Sequence, residues 1–232
     1  MTPEARLEAY ARLAVEVGSN VGAGQDVWIG GVIEHAPLAR VVARIAYENG
    51  ASYVDVAYGD PHVRRARVLH ADEESLGWTP PWLMSRVEHI AGRHGALIQI
   101  VGDPEPELFA DLDGTRVGKT RMRELQKAYL KATDQNLINW TILAYPNEGW
   151  AQTVFGEPDV ERLWEAVATA TRLDEPDPVS AWRAHIEKLV ARAALLDERR
   201  FDALRFRGPG TDLTVGLIPG AHWCTAAEET VD

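Results

Sequence analysis

The chain has 232 residues, 46% of them hydrophobic and 25% charged, with 35 acidic against 24 basic residues and a formal net charge of −11. This make-up suits a globular protein with a sizeable core and excludes a disordered chain, while the excess of acids works against a phosphate backbone, so no nucleic-acid partner is expected. Cys224 is the single cysteine and permits no intrachain disulfide; no stretch has the length of a membrane span or the form of a secretory leader, and the chain reads as cytoplasmic with no membrane partner.

Thr2-Pro3-Glu4 predicts a helix start, with a hydroxyl to cap, a proline at the first helical position and a carboxylate in the first turn. Leu7, Tyr10, Leu13, Ala14 and Val17 then recur at helical spacing, and Gly18 to Gly24 ends the helix. Asp26 to Ile29 reads as a short strand closed by Gly30-Gly31, Pro37 to Tyr47 as an amphipathic helix, and Ser52 to Tyr58 as the next strand. This order, with short glycine-bounded links, is that of a right-handed βαβ unit and hence of a parallel sheet.

His62 to Ala71 and Trp82 to His94 continue as helices, and Ala96 to Val101 is the nearly unbroken apolar strand expected where both sheet faces are covered. Pro104 to Ala110 reads as a short helix or turn, Gly118 to Lys131 as a charged helix, and Leu137 to Ala144 as the fourth core strand. Helices over Glu148 to Val154, Asp159 to Ala170 and Val179 to Leu196 follow. Ala203 to Phe206 and Leu213 to Leu217 then alternate apolar and polar residues about Gly208-Pro209-Gly210-Thr211-Asp212, the pattern of strand, tight turn, strand. The class is α/β: a three-layer αβα arrangement with a mainly parallel sheet and a C-terminal β-hairpin. Residues 1–232 read as a single domain, with Asp174 to Pro178 the best place for a junction.

Motifs that would carry chemistry are few. Gly114-Thr115-Arg116-Val117-Gly118-Lys119-Thr120 has three residues between its glycines where a phosphate loop needs four, and no apolar strand precedes it. Gly30-Gly31 stands after a strand and before a helix, so an anion could be held there, although glycines at such a place more often allow a sharp turn and close packing. The histidines do not fall at ligand spacing: His89 and His94 are on different faces of one helix, Glu34-His35 diverge, and His62, His70, His185 and His222 read as single surface residues. Ser19 lacks the strand-turn-helix setting of a nucleophile, and Cys224 lacks a nearby base. Arg64, Arg65 and Arg67 read as the solvated face of a helix, and most of the eight tryptophans as core or helix-sheet contacts, with a few left to face another subunit or a further part of the protein.

The string Phe201-Asp202-Ala203-Leu204-Arg205-Phe206-Arg207-Gly208-Pro209-Gly210-Thr211-Asp212-Leu213-Thr214-Val215-Gly216-Leu217, followed by Trp223, resembles the central segment of the thermophilic-type metalloaminopeptidases, the aminopeptidase T and aminopeptidase S family. The likeness extends upstream through Ile138-Asn139-Trp140-Thr141, Tyr145-Pro146, Gly149-Trp150-Ala151, Leu163-Trp164, Asp177-Pro178-Val179 with Trp182, and Ala194-Leu195-Leu196-Asp197, where the family's Leu-Asn is replaced by Leu-Asp.

The resemblance implies a metal-dependent aminopeptidase with peptide substrates, a homodimer, and two divalent metal ions, zinc, cobalt or magnesium. It also implies that the ligands of those ions begin at a Pro-Thr-Glu-Glu stretch beyond the hairpin. This sequence does not contain that stretch; Glu228 and Glu229 follow Thr225-Ala226-Ala227 and receive no ligand role. No catalytic, cofactor-binding or metal-ligating residue is therefore assigned, no metal is expected to bind stoichiometrically, and Asp212 is given a structural part. The chain is expected to be the non-catalytic amino-terminal half of such an enzyme, inactive alone, with an apolar patch near Leu217 to Trp223. The alternative is a stand-alone interaction or regulatory module that keeps the fold without the chemistry.

Overall fold

The structure, a computed structural model, describes residues 1–225, and these fall into two compact units, Met1–Val179 and the residues from Ser180 onward. The division lies just past the Asp174 to Pro178 segment. Four strands organise the first unit: β1 (Asp26–Val32), β2 (Tyr53–Gly59), β3 (Ala96–Val101) and β4 (Asn139–Ala144). They form one sheet in the order β2-β1-β3-β4, every neighbouring pair parallel. Around them are α1 (Pro3–Leu13), α2 (Ala36–Glu48), α3 (Pro61–His70), α4 (Pro81–Gly92), α5 (Gly114–Lys119), α6 (Arg123–Asp134), α7 (Glu148–Phe155) and α8 (Val160–Ala170).

Strand alternation sends Val27, Ile29, Ile98, Ile100 and Leu143 to one face of the sheet, where all five are buried. Leu38, Val42 and Ile45 of α2, fully buried, pack with this layer, as does the π-helical turn Ala14–Gly18 that ends α1. Trp28 and Leu97 point to the opposite face and meet Val87 and Ile90 of α4 and Ala132 of α6. Each fully buried aliphatic side chain contributes about 1.5–3 kcal/mol relative to exposure, and two covered faces explain why the strands are apolar on both sides.

The expected elements are present, with two differences. Gly30 and Gly31 do not close β1 but continue it, pairing with Ala57 and Tyr58. The single charged helix expected over Gly118 to Lys131 is two, α5 and α6. The Asp113 carboxylate caps α5 by accepting from the amides of Thr115 and Arg116, and the buried Thr120 hydroxyl donates to the Val117 carbonyl (2.7 Å) as that helix ends.

The second unit holds most of α9 (Pro178–Arg199), then β5 (Ala203–Gly208) and β6 (Thr211–Gly216), which pair antiparallel with Gly208 opposite Thr211. The connection is therefore Pro209-Gly210, with Gly210 at φ 74°, the arrangement of a type II turn. Leu204, Phe206, Leu213 and Val215 share one face of the hairpin. Arg205 and Asp212 share the other, joined by two hydrogen bonds of 2.9 and 2.7 Å.

Tyr10 links α1 to the sheet. Its hydroxyl donates to the Ala144 carbonyl (3.0 Å) and accepts from the Ala144 amide (3.1 Å), while its ring meets Trp164 of α8 edge-on at 5.8 Å. Burial pushes the phenol from the ordinary 10.0 up to about 12, more than the bond to Ala144 lowers it. The folded state thus holds this proton more tightly than the unfolded chain. The corresponding stability is complete below about pH 10 and is lost as the pH rises toward 12, a fall of roughly 2–3 kcal/mol. Tyr10→Phe is expected to lower stability at neutral pH by about 1–3 kcal/mol and to flatten that alkaline loss. Urea midpoints measured from pH 7 to 12 check both, and an unchanged midpoint would show that the hydroxyl contributes nothing.

Candidate functional site

In an open parallel sheet, ligands enter beyond the carboxyl ends of the strands, at the point where strand order reverses. Here that point lies between β1 and β3. Gly30, Gly31 and Val32 end β1, and the chain passes through a 3-10 turn, Ile33–His35, into α2. His35 is 2% exposed. Its Nδ1 accepts from the Val32 amide (3.2 Å), which leaves the proton on Nε2, and Nε2 donates to the Gly102 carbonyl (2.9 Å) just past β3. Tyr145 packs against the imidazole at 5.8 Å, at an angle of 69° between the rings.

The surrounding glycines fit this bridge. Gly102 has φ 129°, and a Cβ there would press on the Tyr145 carbonyl and the Asn147 side chain. A Cβ on Gly31 would come within 2.9 Å of His35 Nδ1, and one on Gly30 would overlap the Gln99 amide. Gly30 and Gly31 thus serve close packing: the place considered for an anion is occupied by Gln99 and His35. Both nitrogens of the imidazole are used in this bridge. Sequence spacing does not reveal His35 as a buried bridge; the available signal is its place directly before α2, whose first turn carries Pro37.

The other histidines remain separate. His89 Nε2 lies 2.9 Å from Asp26 Oδ2, but Arg93 Nε also lies 2.8 Å from that oxygen, so a guanidinium stands where a metal ion would have to be. His62 pairs with Glu105 at 2.6 Å, which raises its pKa from the ordinary value chiefly through that hydrogen bond. His185 stacks on Trp182 at 5.2 Å, and His222 is 3.5 Å from Asp197. Among the described residues, no three His, Cys, Asp or Glu side chains stand close enough to hold a metal ion. These residues do not fit a pair of divalent ions, while Glu228 and Glu229 lie outside the described residues.

Two further motifs are absorbed by the fold. The glycine-containing stretch from Gly114 to Lys119 is helix α5, so its amides do not form an open phosphate loop. The arginines of α3 are clamps rather than a free solvated face. Arg65 makes a two-pronged contact with Asp111 (2.6 Å each), Arg67 donates to the carbonyls of Ser75 and Trp78, and Arg64 bonds Thr120 and covers the Phe109 ring.

In the second unit, the end of α9, the base of the hairpin and the segment Leu217–Trp223 enclose a cavity of about 730 Å³. Asp197 fixes its rim. One carboxylate oxygen accepts from the Trp223 amide (2.8 Å) and the other faces His222. The acid that departs from the family's Leu-Asn pattern thereby gains a role: it straps the chain after the hairpin to α9. Ile218 is 79% exposed, within the region expected to carry an apolar patch, and Cys224 is exposed. The cavity combines Asp197, Arg200, Asp202 and His222 with the apolar Phe201, Leu217 and Ile218.

His35→Ala is expected to destabilise the first unit by about 2–4 kcal/mol, since it opens a cavity and leaves the Val32 amide and the Gly102 carbonyl unpaired. The urea midpoint reads this, and a midpoint equal to that of the unaltered chain would mean that other contacts hold the two strand ends together.

Comparison with known proteins gives consistent matches along this chain. The thermophilic metalloprotease (M29) family matches residues 3–232. Aminopeptidase T of Thermus aquaticus is 41% identical over 231 residues, covering 97% of this chain and 56% of that protein. Aminopeptidase 2 of Geobacillus stearothermophilus is 34% identical over 227 residues, covering 95% of this chain and 54% of that protein. The solved structure of wild-type AmpT from Thermus thermophilus superposes with a TM-score of 0.84 at 37% identity, over 93% of this chain and 54% of that one. The chain thus spans about half the length of the relatives it matches.

Proposed function

The chain belongs to the thermophilic metalloprotease family M29, and from that membership we propose that it serves a metal-dependent aminopeptidase, removing amino-terminal residues from peptides in the cytoplasm. Within that activity the described residues act as scaffold, and the ligands of the divalent ions, zinc, cobalt or magnesium, come from outside them. What carries this reading is the likeness itself, which runs along 97% of this chain but over only 56% of aminopeptidase T of Thermus aquaticus.

Residues 1–232 are expected to release no chromophore from aminoacyl p-nitroanilides with Zn²⁺, Co²⁺ or Mg²⁺ added, and to purify with far less than one metal ion per chain. Metal-dependent turnover would mean that the histidines and carboxylates described above do assemble a site, and the scaffold reading would fall. Self-association is the second part of the proposal, supported by Phe206, Leu213 and Val215, which are 51%, 52% and 42% exposed on one hairpin face. Static light scattering is expected to return twice the 25.6 kDa chain mass; a monomer at all concentrations would reject the homodimer.

A further inference from the structure

Although the chain is strongly acidic, the first unit contains a trough whose lining has four cations and no carboxylate. It measures about 580 Å³ and is lined by Gly114, Thr115, Gly118 and Lys119 of α5, Arg121 of the connecting turn, and Arg123, Gln126, Lys127 and Leu130 of α6. The α6 residues recur at the three- and four-residue spacing of one helix face, so this wall is about 10 Å long, the span of roughly three residues of extended peptide. The other wall is smooth, for a Cβ on Gly114 or on Gly118 would meet nothing within 4 Å.

Two of the four charges are not spent on holding the fold. Lys119 pairs with Glu73 and Lys127 with Glu124 (3.1 Å), two acids outside the lining. Arg121 and Arg123 make no ion pair or side-chain hydrogen bond among the described residues, in contrast to the arginines of α3, which are all engaged. Arg123 also stands in the first turn of α6, where the helix dipole disfavours a cation. Four neighbouring like charges repel one another, and folding offers two of them no compensation. An anionic ligand would supply it.

We propose that this trough docks an acidic peptide segment in extended form, with carboxylates against Lys119, Arg121 and Arg123 and an apolar residue against Leu130. The order follows from the lining: the cations cluster around the turn between α5 and α6, and Leu130, 60% exposed, lies one turn beyond Lys127 on α6. Guanidinium forks suit carboxylates, and the open, glycine-smoothed wall admits a peptide backbone. The proposal concerns binding alone and does not depend on the aminopeptidase reading.

The test is fluorescence anisotropy on the full chain with a fluorescein-labelled Glu-Glu-Glu-Leu peptide, and with Gln-Gln-Gln-Leu as its neutral counterpart. Saturable binding of the acidic peptide is expected, weakened by salt. Arg121→Ala with Arg123→Ala should weaken it at least about tenfold, while Arg183→Ala with Arg192→Ala on α9 should leave it unchanged. Circular dichroism and the urea midpoint confirm that both double variants are folded. Equal binding of the neutral peptide, wild-type affinity in the folded Arg121/Arg123 variant, or no binding at all overturns the proposal. So does tighter binding of tripolyphosphate or a single-stranded oligonucleotide, which would make the occupant a phosphate polyanion.

Discussion

The hydrogen bond from the His35 imidazole to the Gly102 carbonyl fixes how the two central strands of the sheet end relative to one another. β1 and β3 are neighbours in the sheet but far apart in the chain, and their carboxyl ends would otherwise splay around an open crevice. A buried neutral ring holds them, accepting from one backbone and donating to the other, while Gly30 and Gly31 allow Gln99 and the ring to come close. His35 serves both as the bridge and as the residue before α2, so joining the two strand ends and starting that helix are one structural event.

Much of the fold was legible in the sequence because its signals are local. Apolar runs at Asp26, Ala96 and Leu137, bounded by glycine and proline, read correctly as strands, and Pro209-Gly210 between alternating segments read correctly as a hairpin turn. Where the reading differed, the deciding partner was distant. Nothing near Gly30 says that the strand continues through it; Gln99, from another strand, supplies the packing that makes a glycine there fit. The break between α5 and α6 falls at Thr120, whose hydroxyl donates to the Val117 carbonyl and accepts from Arg64 of α3, 56 positions away. The tryptophans divide between core and surface. Trp28 and Trp164 are buried, but Trp78, Trp82 and Trp140 are half or more exposed, because size alone does not decide which large ring a small core can enclose.

The candidate site was legible mainly by family likeness. Spacing separates the histidines, but it cannot show that His89 and Arg93 converge on one oxygen of Asp26, or that Asp197 reaches forward to the Trp223 amide. Both contacts join residues more than two dozen positions apart. The same blindness applies to charge: the arginines of α3 and the cations around α5 and α6 look alike in sequence, and only their neighbours distinguish clamps from unspent charge.

Tyr10 has a consequence for the outer border of the sheet. Ala144 turns its amide and carbonyl away from β3, since the next residue, Tyr145, donates to Val101, and among the described residues β4 has no strand on its other side. Such a border is a template on which stray extended chains can add and seed aggregation, and β4 carries neither lysine nor proline to discourage them. By taking both backbone groups of Ala144, the phenol acts as a stopper at the end of that template. It shortens the run of free backbone without placing any charge on the strand.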